Sequence, residues 1–177
     1  MAVSKKNIIK NDKFINRLAV ALVKLKVMSD SESESFIKEF QERSKGRIDD
    51  FLIDENVIDR EVLLKALQMV YGLATYDVRG HFFNHLVVLL FPKDVLMSKG
   101  IIPLDIDDDI MTIVVSNPED EEVLDLLGNY VPYSVNMLVG IHRDILDAIE
   151  EYYDEDVITS DINDQDTDLN DDTDLIS

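Results

Sequence analysis

Apolar and polar positions along this chain follow a helical period first and a strand period later. From Phe14 the apolar residues Phe14, Leu18, Leu22 and Leu25 recur at helical spacing, and Ala21 and Val23 widen the stripe. Residues so spaced share one face, which predicts an amphipathic helix. A second helix buries Phe36, Ile37 and Phe40 and stops before Gly46. A third, short helix carries Ile48, Phe51 and Leu52. A fourth starts after Asp59, whose carboxylate can accept from the unpaired first-turn amides, and runs through Val62, Leu63, Ala66, Leu67 and Val70 to a glycine stop at Gly72. Residues 13–72 therefore read as a four-helix unit, preceded by a flexible basic arm over residues 1–12.

Gly72 to Gly80 reads as a connector with an extended piece at Ala74 to Val78. Phe83 to Phe91 is short and strongly apolar, and Pro92 suits the start of a short helix from Lys93 to Ser98. After Gly100 the period changes. Ile101 to Ile106 and Ile110 to Val115 are strand-like and rich in branched residues, with Asp107 to Asp109 as the turn between them. Asn117-Pro118 followed by Glu119, Asp120 and Glu121 predicts a helix start, with Asn as cap, Pro at the first position and acids on the positive end of the dipole. That helix carries Val123, Leu126 and Leu127 and ends near Gly128. Tyr133 to Val139 is a third strand, and Ile141 to Tyr153 a final helix. The expected fold class is α+β: the helical unit, then a small α/β unit over residues 73–153 with a three-stranded sheet in the order β-β-α-β-α.

The helical unit repeats itself. Arg17-Leu18 leads to Leu22-Val23 and then Val27-Met28, while Arg47-Ile48 leads to Leu52-Ile53 and then Val57-Ile58. A base, an apolar pair and a second apolar pair recur at the same spacing, which favours a duplication of about 30 residues. Between the copies' helices, Ser29 to Ser35 alternates Ser with Asp or Glu. That run suits either a phosphorylation cluster or a helix cap, and Ser31 with Glu34 has capping-box spacing.

Charge sharpens this organisation. The 177 residues carry a net charge of −20, unevenly placed. Residues 1–47 hold 11 Lys/Arg against 6 Asp/Glu, residues 48–153 hold 6 against 21, and residues 154–177 hold 10 acids and no base. The last stretch reads as a disordered acidic tail. The acidic total argues against general nucleic-acid binding and against adsorption to an anionic bilayer. No apolar run approaches the roughly 18–20 residues needed to span a membrane, so direct membrane insertion is not expected. No secretory leader is read at the start, and a cytoplasmic location is expected.

Candidate chemistry is sparse. With no cysteine there is no disulfide, thiol nucleophile or Cys-ligated zinc. His81 and His85 stand four apart but lack an obvious third ligand. The tail from Asp164 puts Leu169 and Leu175 where a calcium loop needs Gly and Glu. There is no Gly-x-Ser-x-Gly elbow and no Gly-x-x-x-x-Gly-Lys-Ser/Thr. No catalytic residue, metal ligand or resident cofactor is expected.

Several passages in order carry a family likeness: Tyr71-Gly72-Leu73 with Tyr76-Asp77, Leu89 to Pro92, Ile102-Pro103-Leu104, Met111 to Val115, Ser116-Asn117-Pro118, and Ala148-Ile149 with Tyr152-Tyr153. In these the chain resembles the N-terminal domain of type II secretion and type IV pilus assembly ATPases, the group that includes the MshEN domains. The resemblance implies a non-catalytic interaction or regulatory module. Its partner would be the cytoplasmic part of an inner-membrane assembly protein or a separate motor ATPase, which would recruit it to that membrane. The charge split makes the basic residues Lys24, Lys26, Arg43, Lys45 and Arg47 the candidate partner face, with the exposed sheet edge as the alternative. The nucleotide-binding branch of the family implies an alternative, a cyclic-di-GMP receptor. Its tandem motif would place ligand contacts at Arg17, Leu18, Leu22 and Val23, and at Arg47, Ile48, Leu52 and Ile53. The motif's glycines are replaced by Ala19 and Lys26 in the first copy and by Asp49 and Asn56 in the second. At the closing Gln stand Arg43, after a three-residue insertion, and Val70. Without the ATPase fold the chain is expected to be a stand-alone or excised module that does not hydrolyse ATP.

Overall fold

The computed structural model of the chain describes residues 5–163. It opens with two helix–turn–helix units, α1 (Lys5–Lys24) with α2 (Asp30–Arg43), then α3 (Ile48–Asp54) with α4 (Arg60–Tyr71). The second unit copies the first hydrogen bond by hydrogen bond. After α1, the amides of Leu25, Lys26 and Val27 donate to the carbonyls of Ala21, Val23 and Leu22 at 2.9, 2.9 and 3.1 Å. After α3, those of Glu55, Asn56 and Val57 donate to Phe51, Ile53 and Leu52 at 3.0, 3.0 and 2.9 Å. This Schellman pattern satisfies the last helical carbonyls and needs a left-handed residue at its corner. The corners are Lys26, with φ 59°, and Asn56, with φ 52°. Both positions are ones where the tandem motif has glycine. A left-handed backbone costs a side-chain-bearing residue roughly 1–2 kcal/mol, less for Asn, whose short polar side chain tolerates it. Lys26→Gly should therefore raise stability by about 1 kcal/mol, and Asn56→Gly by less. A shift of the urea midpoint at constant slope is the measurement.

The caps that start α2 and α4 also correspond. Glu32 N donates to Ser29 Oγ at 3.3 Å, and Val62 N to Asp59 Oδ1 at 2.9 Å. In the first copy Glu32 Oε2 accepts in return from Ser29 N at 2.7 Å, closing a capping box. The box thus lies at Ser29–Glu32, two residues before the spacing at Ser31–Glu34. The Schellman turn fixes this, because it leaves Ser29 extended (φ −80°, ψ 167°) immediately before the helix.

Gly72, at φ 68°, ends α4. The connector then runs alongside the last strand: Tyr76 N donates to Val139 O and Val139 N to Ala74 O, both at 2.9 Å. Two short helices, α5 (His85–Val88) and α6 (Lys93–Lys99), lead into β1 (Ile101–Asp107), β2 (Ile110–Val115), α7 (Glu121–Tyr130), β3 (Ser134–Val139) and α8 (His142–Asn163). The sheet order is β1-β2-β3, with β1–β2 antiparallel and β2–β3 parallel. A bulge falls between Pro103 and Asp105, where proline has no amide to give the ladder. Central β2 is the most deeply buried strand, with Met111, Ile113, Val114 and Val115 fully enclosed. One apolar core lies between the sheet, α5, α6, α7 and α8, and a second within the helical repeats. Val139 and Ile141 reach from the α/β unit into the second.

Three boundaries differ from the sequence expectation. Helix α1 begins at Lys5, inside the stretch read as a flexible arm, because no glycine or proline stops propagation back from a formed helix. Helix α7 is capped by Asp120, which accepts from Glu122 N at 3.0 Å. Asn117 instead closes a turn, its Oδ1 accepting from Glu119 N at 3.1 Å. Helix α8 runs past Tyr153 to Asn163, again with no breaker in its way. The rest of the expected acidic tail, residues 164–177, lies outside the described residues, as do residues 1–4 of the arm. Among the described residues, no helix is long and apolar enough to cross a membrane.

Candidate functional site

The duplication brings its two arginines to one place. Arg17 lies on α1 and Arg47 just before α3. Between them stand Phe14 and Tyr71, stacked with ring centres 5.9 Å apart and planes 15° apart. The Arg17 guanidinium lies 5.5 Å from the Tyr71 ring centre, and that of Arg47 lies 5.6 Å from the Phe14 ring centre. The result is a four-member assembly with a cation over each ring. Burial pushes the Tyr71 phenol far above its usual range, so it stays neutral.

Each guanidinium already has an anion. Arg47 makes a fork to Asp49, Nε to Oδ1 and Nη2 to Oδ2, both at 2.9 Å. Asp49 is fully buried, on the first turn of α3. Burial works against the charge on Arg47, but the Asp49 carboxylate outweighs this and raises its pKa. Arg17 Nη1 donates to both carboxylate oxygens of Glu119, at 2.9 and 2.8 Å, and Nη2 to the Val70 carbonyl. Asp49 occupies the first-glycine position of its repeat. Glu119 comes from the loop before α7, so the Arg17 contact ties the repeats to the α/β unit.

Further polar contacts hold that junction. Arg60 Nε donates to both oxygens of Asp144, at 2.9 and 3.0 Å. Burial raises the Asp144 pKa despite Arg60 and Arg79. Asp50 accepts from the Arg143 amide at 3.1 Å and lies 2.9 Å from His142 Nδ1. Burial alone would raise the Asp50 pKa, but His142, Arg47 and Arg143 more than offset it and hold the carboxyl below its usual range.

Most of the remaining motif positions are buried. Leu18, Leu22, Ile48 and Leu52 are at most 2% exposed and belong to the helical core. Val23 and Ile53 are half-buried. The matching turns and caps align α2 with α4 without an insertion, so the closing positions are Phe40 and Val70, both buried. Arg43 lies one turn beyond, paired with Glu39. The candidate partner residues are not gathered either. Lys24 and Lys26 are exposed at the end of α1, Arg43 and Lys45 at the far end of α2. A helix of that size separates the two pairs by roughly 20 Å. What does gather is a shallow groove between α1 and α4, of about 300 Å³, lined by Arg17, Val20, Lys24 and Met69 among others. Val20 and Met69 are large apolar residues left 53% and 45% exposed there. His81 and His85 face different partners, their Nδ1 atoms each 2.7 Å from a tyrosine hydroxyl, Tyr76 and Tyr152 respectively.

Phe14, Tyr71 and Glu119 join the site from outside the tandem motif. Tyr71 had a signal, standing directly after the closing position of the second repeat. Glu119 had none, since 102 residues separate it from Arg17.

A helical unit packed on a small α/β unit with a three-stranded mixed sheet is the architecture of an MshEN-like N-terminal domain. The MshEN domain family matches residues 71–159, and the chain belongs to that family. No curated sequence matches the chain. Its fold is similar to that of MshE solved with cyclic-di-GMP, with a TM-score of 0.60 and 22% identity over 77% of this chain and 98% of that one. It is also similar to the N-terminal domain of XpsE, with a TM-score of 0.55 and 20% identity over 76% of this chain and 92% of that one.

Proposed function

We propose that the chain is a non-catalytic interaction module of a secretion or pilus assembly apparatus, acting in the cytoplasm and drawn to the inner membrane by its partner. The observation that supports this reading most is the groove between α1 and α4. Its exposed Val20 and Met69 give a partner apolar area to bury, and Lys24 stands at its rim with no ion-pair partner among the described residues. Apolar floor and cationic rim suit a partner segment that is apolar and acidic. The partner would be the cytoplasmic part of an inner-membrane assembly protein or a motor ATPase. The test is calorimetric titration against purified candidates of those two kinds. Lys24→Glu and Val20→Asp should each weaken the binding by about tenfold or more, as loss of roughly 1.4 kcal/mol or more would. Unchanged affinity in both variants would sink the reading.

A second reading, a cyclic-di-GMP receptor, is favoured by one observation: Arg17 and Arg47 converge on a single aromatic stack. Their carboxylate partners weigh against it. A phosphate would have to displace Asp49 and Glu119, and both would repel it. Titration with cyclic-di-GMP should show no binding at micromolar ligand. Micromolar binding that Arg17→Ala and Arg47→Ala abolish would reverse the ranking.

A further inference from the structure

We infer that the surface formed by α5 and the acidic face of α8 is a second docking site, and that it takes a basic amphipathic helix from another protein. Helix α5 is apolar on both sides. In α5 and the turn that continues it to Phe91, Val87, Val88 and Phe91 are buried, whereas Leu86, Leu89 and Leu90 are 77%, 49% and 44% exposed. Leu86, Leu89 and Leu90 stand at i, i+3 and i+4, so they share one outward face. Phe82, just before the helix, is 98% exposed. Four large apolar side chains crowded on the surface of one short segment mark an interaction surface rather than scattered exposure.

Charge decides the partner. Phe82 opens on a cleft of about 390 Å³ that it shares with Phe83, Asp147, Glu151 and Tyr152. Asp147, Glu151 and Asp154 follow one another along α8 at i, i+4 and i+7, all exposed. None of the three has an ion-pair or hydrogen-bond partner among the described residues. Lys93 lies with its ammonium 5.6 Å from the Tyr153 ring centre, and the two arginines that line the cleft are already engaged. Arg79 is paired with Asp77 at 2.6 Å and Arg60 with Asp144 at 2.9 Å. The surface is therefore apolar with an uncompensated acidic border. It repels an anionic bilayer or an acidic segment and attracts Lys or Arg. The spacing selects a helix. Carboxylates one turn apart on α8 lie about 6 Å apart along its axis, the interval at which a second helix presents basic residues at i and i+4. The same helix carries an apolar stripe beside them for Leu86, Leu89 and Leu90.

The probe is a designed helix with one leucine face and one lysine face. Its counterpart with glutamate for lysine is the control. Fluorescence anisotropy of labelled probe against the full chain should give micromolar affinity for the lysine helix, falling with added salt, and no binding of the glutamate helix. Leu86→Gln with Leu90→Gln should weaken binding about tenfold or more, and so should Asp147→Lys with Glu151→Lys. All four positions are exposed, Leu90 least at 44%, so an unchanged melting midpoint is expected and confirms folding. Lys24→Glu, which tests the groove between α1 and α4, should leave this binding intact, so either site can fail without the other. Equal binding of both helices, or no effect of either pair of variants, overturns the inference. So does a second copy as occupant, seen as dimers in sedimentation that Leu86→Gln dissolves.

Discussion

Asp49→Ala should cost about 3 kcal/mol or more, at the lower end of the roughly 3–5 kcal/mol typical of breaking a buried ion pair. Asp49 is fully buried and holds one edge of the Arg47 guanidinium, Nε and Nη2, at 2.9 Å. Removing it leaves a cation against the Phe14 ring with its fork of donors unmet, and that desolvation is no longer compensated. Arg47 is 29% exposed, so water can reach part of the group; this sets the estimate at the lower end. Asp49→Asn keeps the shape but loses the charge and should cost nearly as much. The informative control replaces both partners, Arg47→Met with Asp49→Leu. A well-packed apolar pair of similar volume is often neutral relative to a buried ion pair, so the double variant should recover most of the loss. Denaturant midpoints of the wild type, Arg47→Met, Asp49→Leu and the double variant form the cycle. A single variant within about 0.5 kcal/mol of wild type, the range of an ordinary surface substitution, would show that the pair is not holding α3 in place.

The same residue shows where sequence stops being informative. Asp49 was legible as an anion at a glycine position and hence as an obstacle to a phosphate. Its fork to Arg47 was not, because charge sign is in the letters but a 2.9 Å bidentate geometry is not. Elements set by local chemistry were read well. The branched runs at Ile101 and Ile110 became β1 and β2, and Asp59 and Gly72 bound α4 as their cap preferences require. Caps with several nearby candidates slipped: Ser29 won over Ser31, and Asp120 over Asn117, because the preceding turn decides which residue is extended at the helix start. The duplication was visible as apolar pairs, yet its strongest evidence, paired left-handed corners at Lys26 and Asn56, lies in backbone angles that Asn favours but Lys does not announce. Surfaces were least legible. Lys24 and Arg43 share a sign and an exposed position, but the length of α2 keeps them apart. Phe83 to Phe91 reads only as a short apolar run, and the fold shows that Leu86, Leu89 and Leu90 in it stay exposed.

Leu22→Ala and Leu52→Ala should each cost about 3–4 kcal/mol, within the range for large-to-small changes at fully packed leucines. Leu22 is 1% exposed and Leu52 not at all. They hold the same position in the two copies, and each carbonyl accepts the long bond of its Schellman turn, from Val27 and Val57. Truncation removes the packing that sets the turn's direction and hence the angle at which α2 or α4 returns. If the copies are equivalent in energy as well as geometry, the two costs should agree within about 1 kcal/mol, against a spread of more than twice that among unrelated leucine sites. Val23→Ala and Ile53→Ala, at half-buried positions beside them, should cost clearly less, so the contrast tests burial rather than proximity to the turn. Both leucines lie in one core cluster. A loss of about 7 kcal/mol from the double variant would equal or exceed the whole stability of a domain near the low end of the usual 5–15 kcal/mol. That variant should lack a cooperative transition, whereas a folded double variant with a sharp midpoint would mean that the sheet and α8, not the repeats, carry most of the stability.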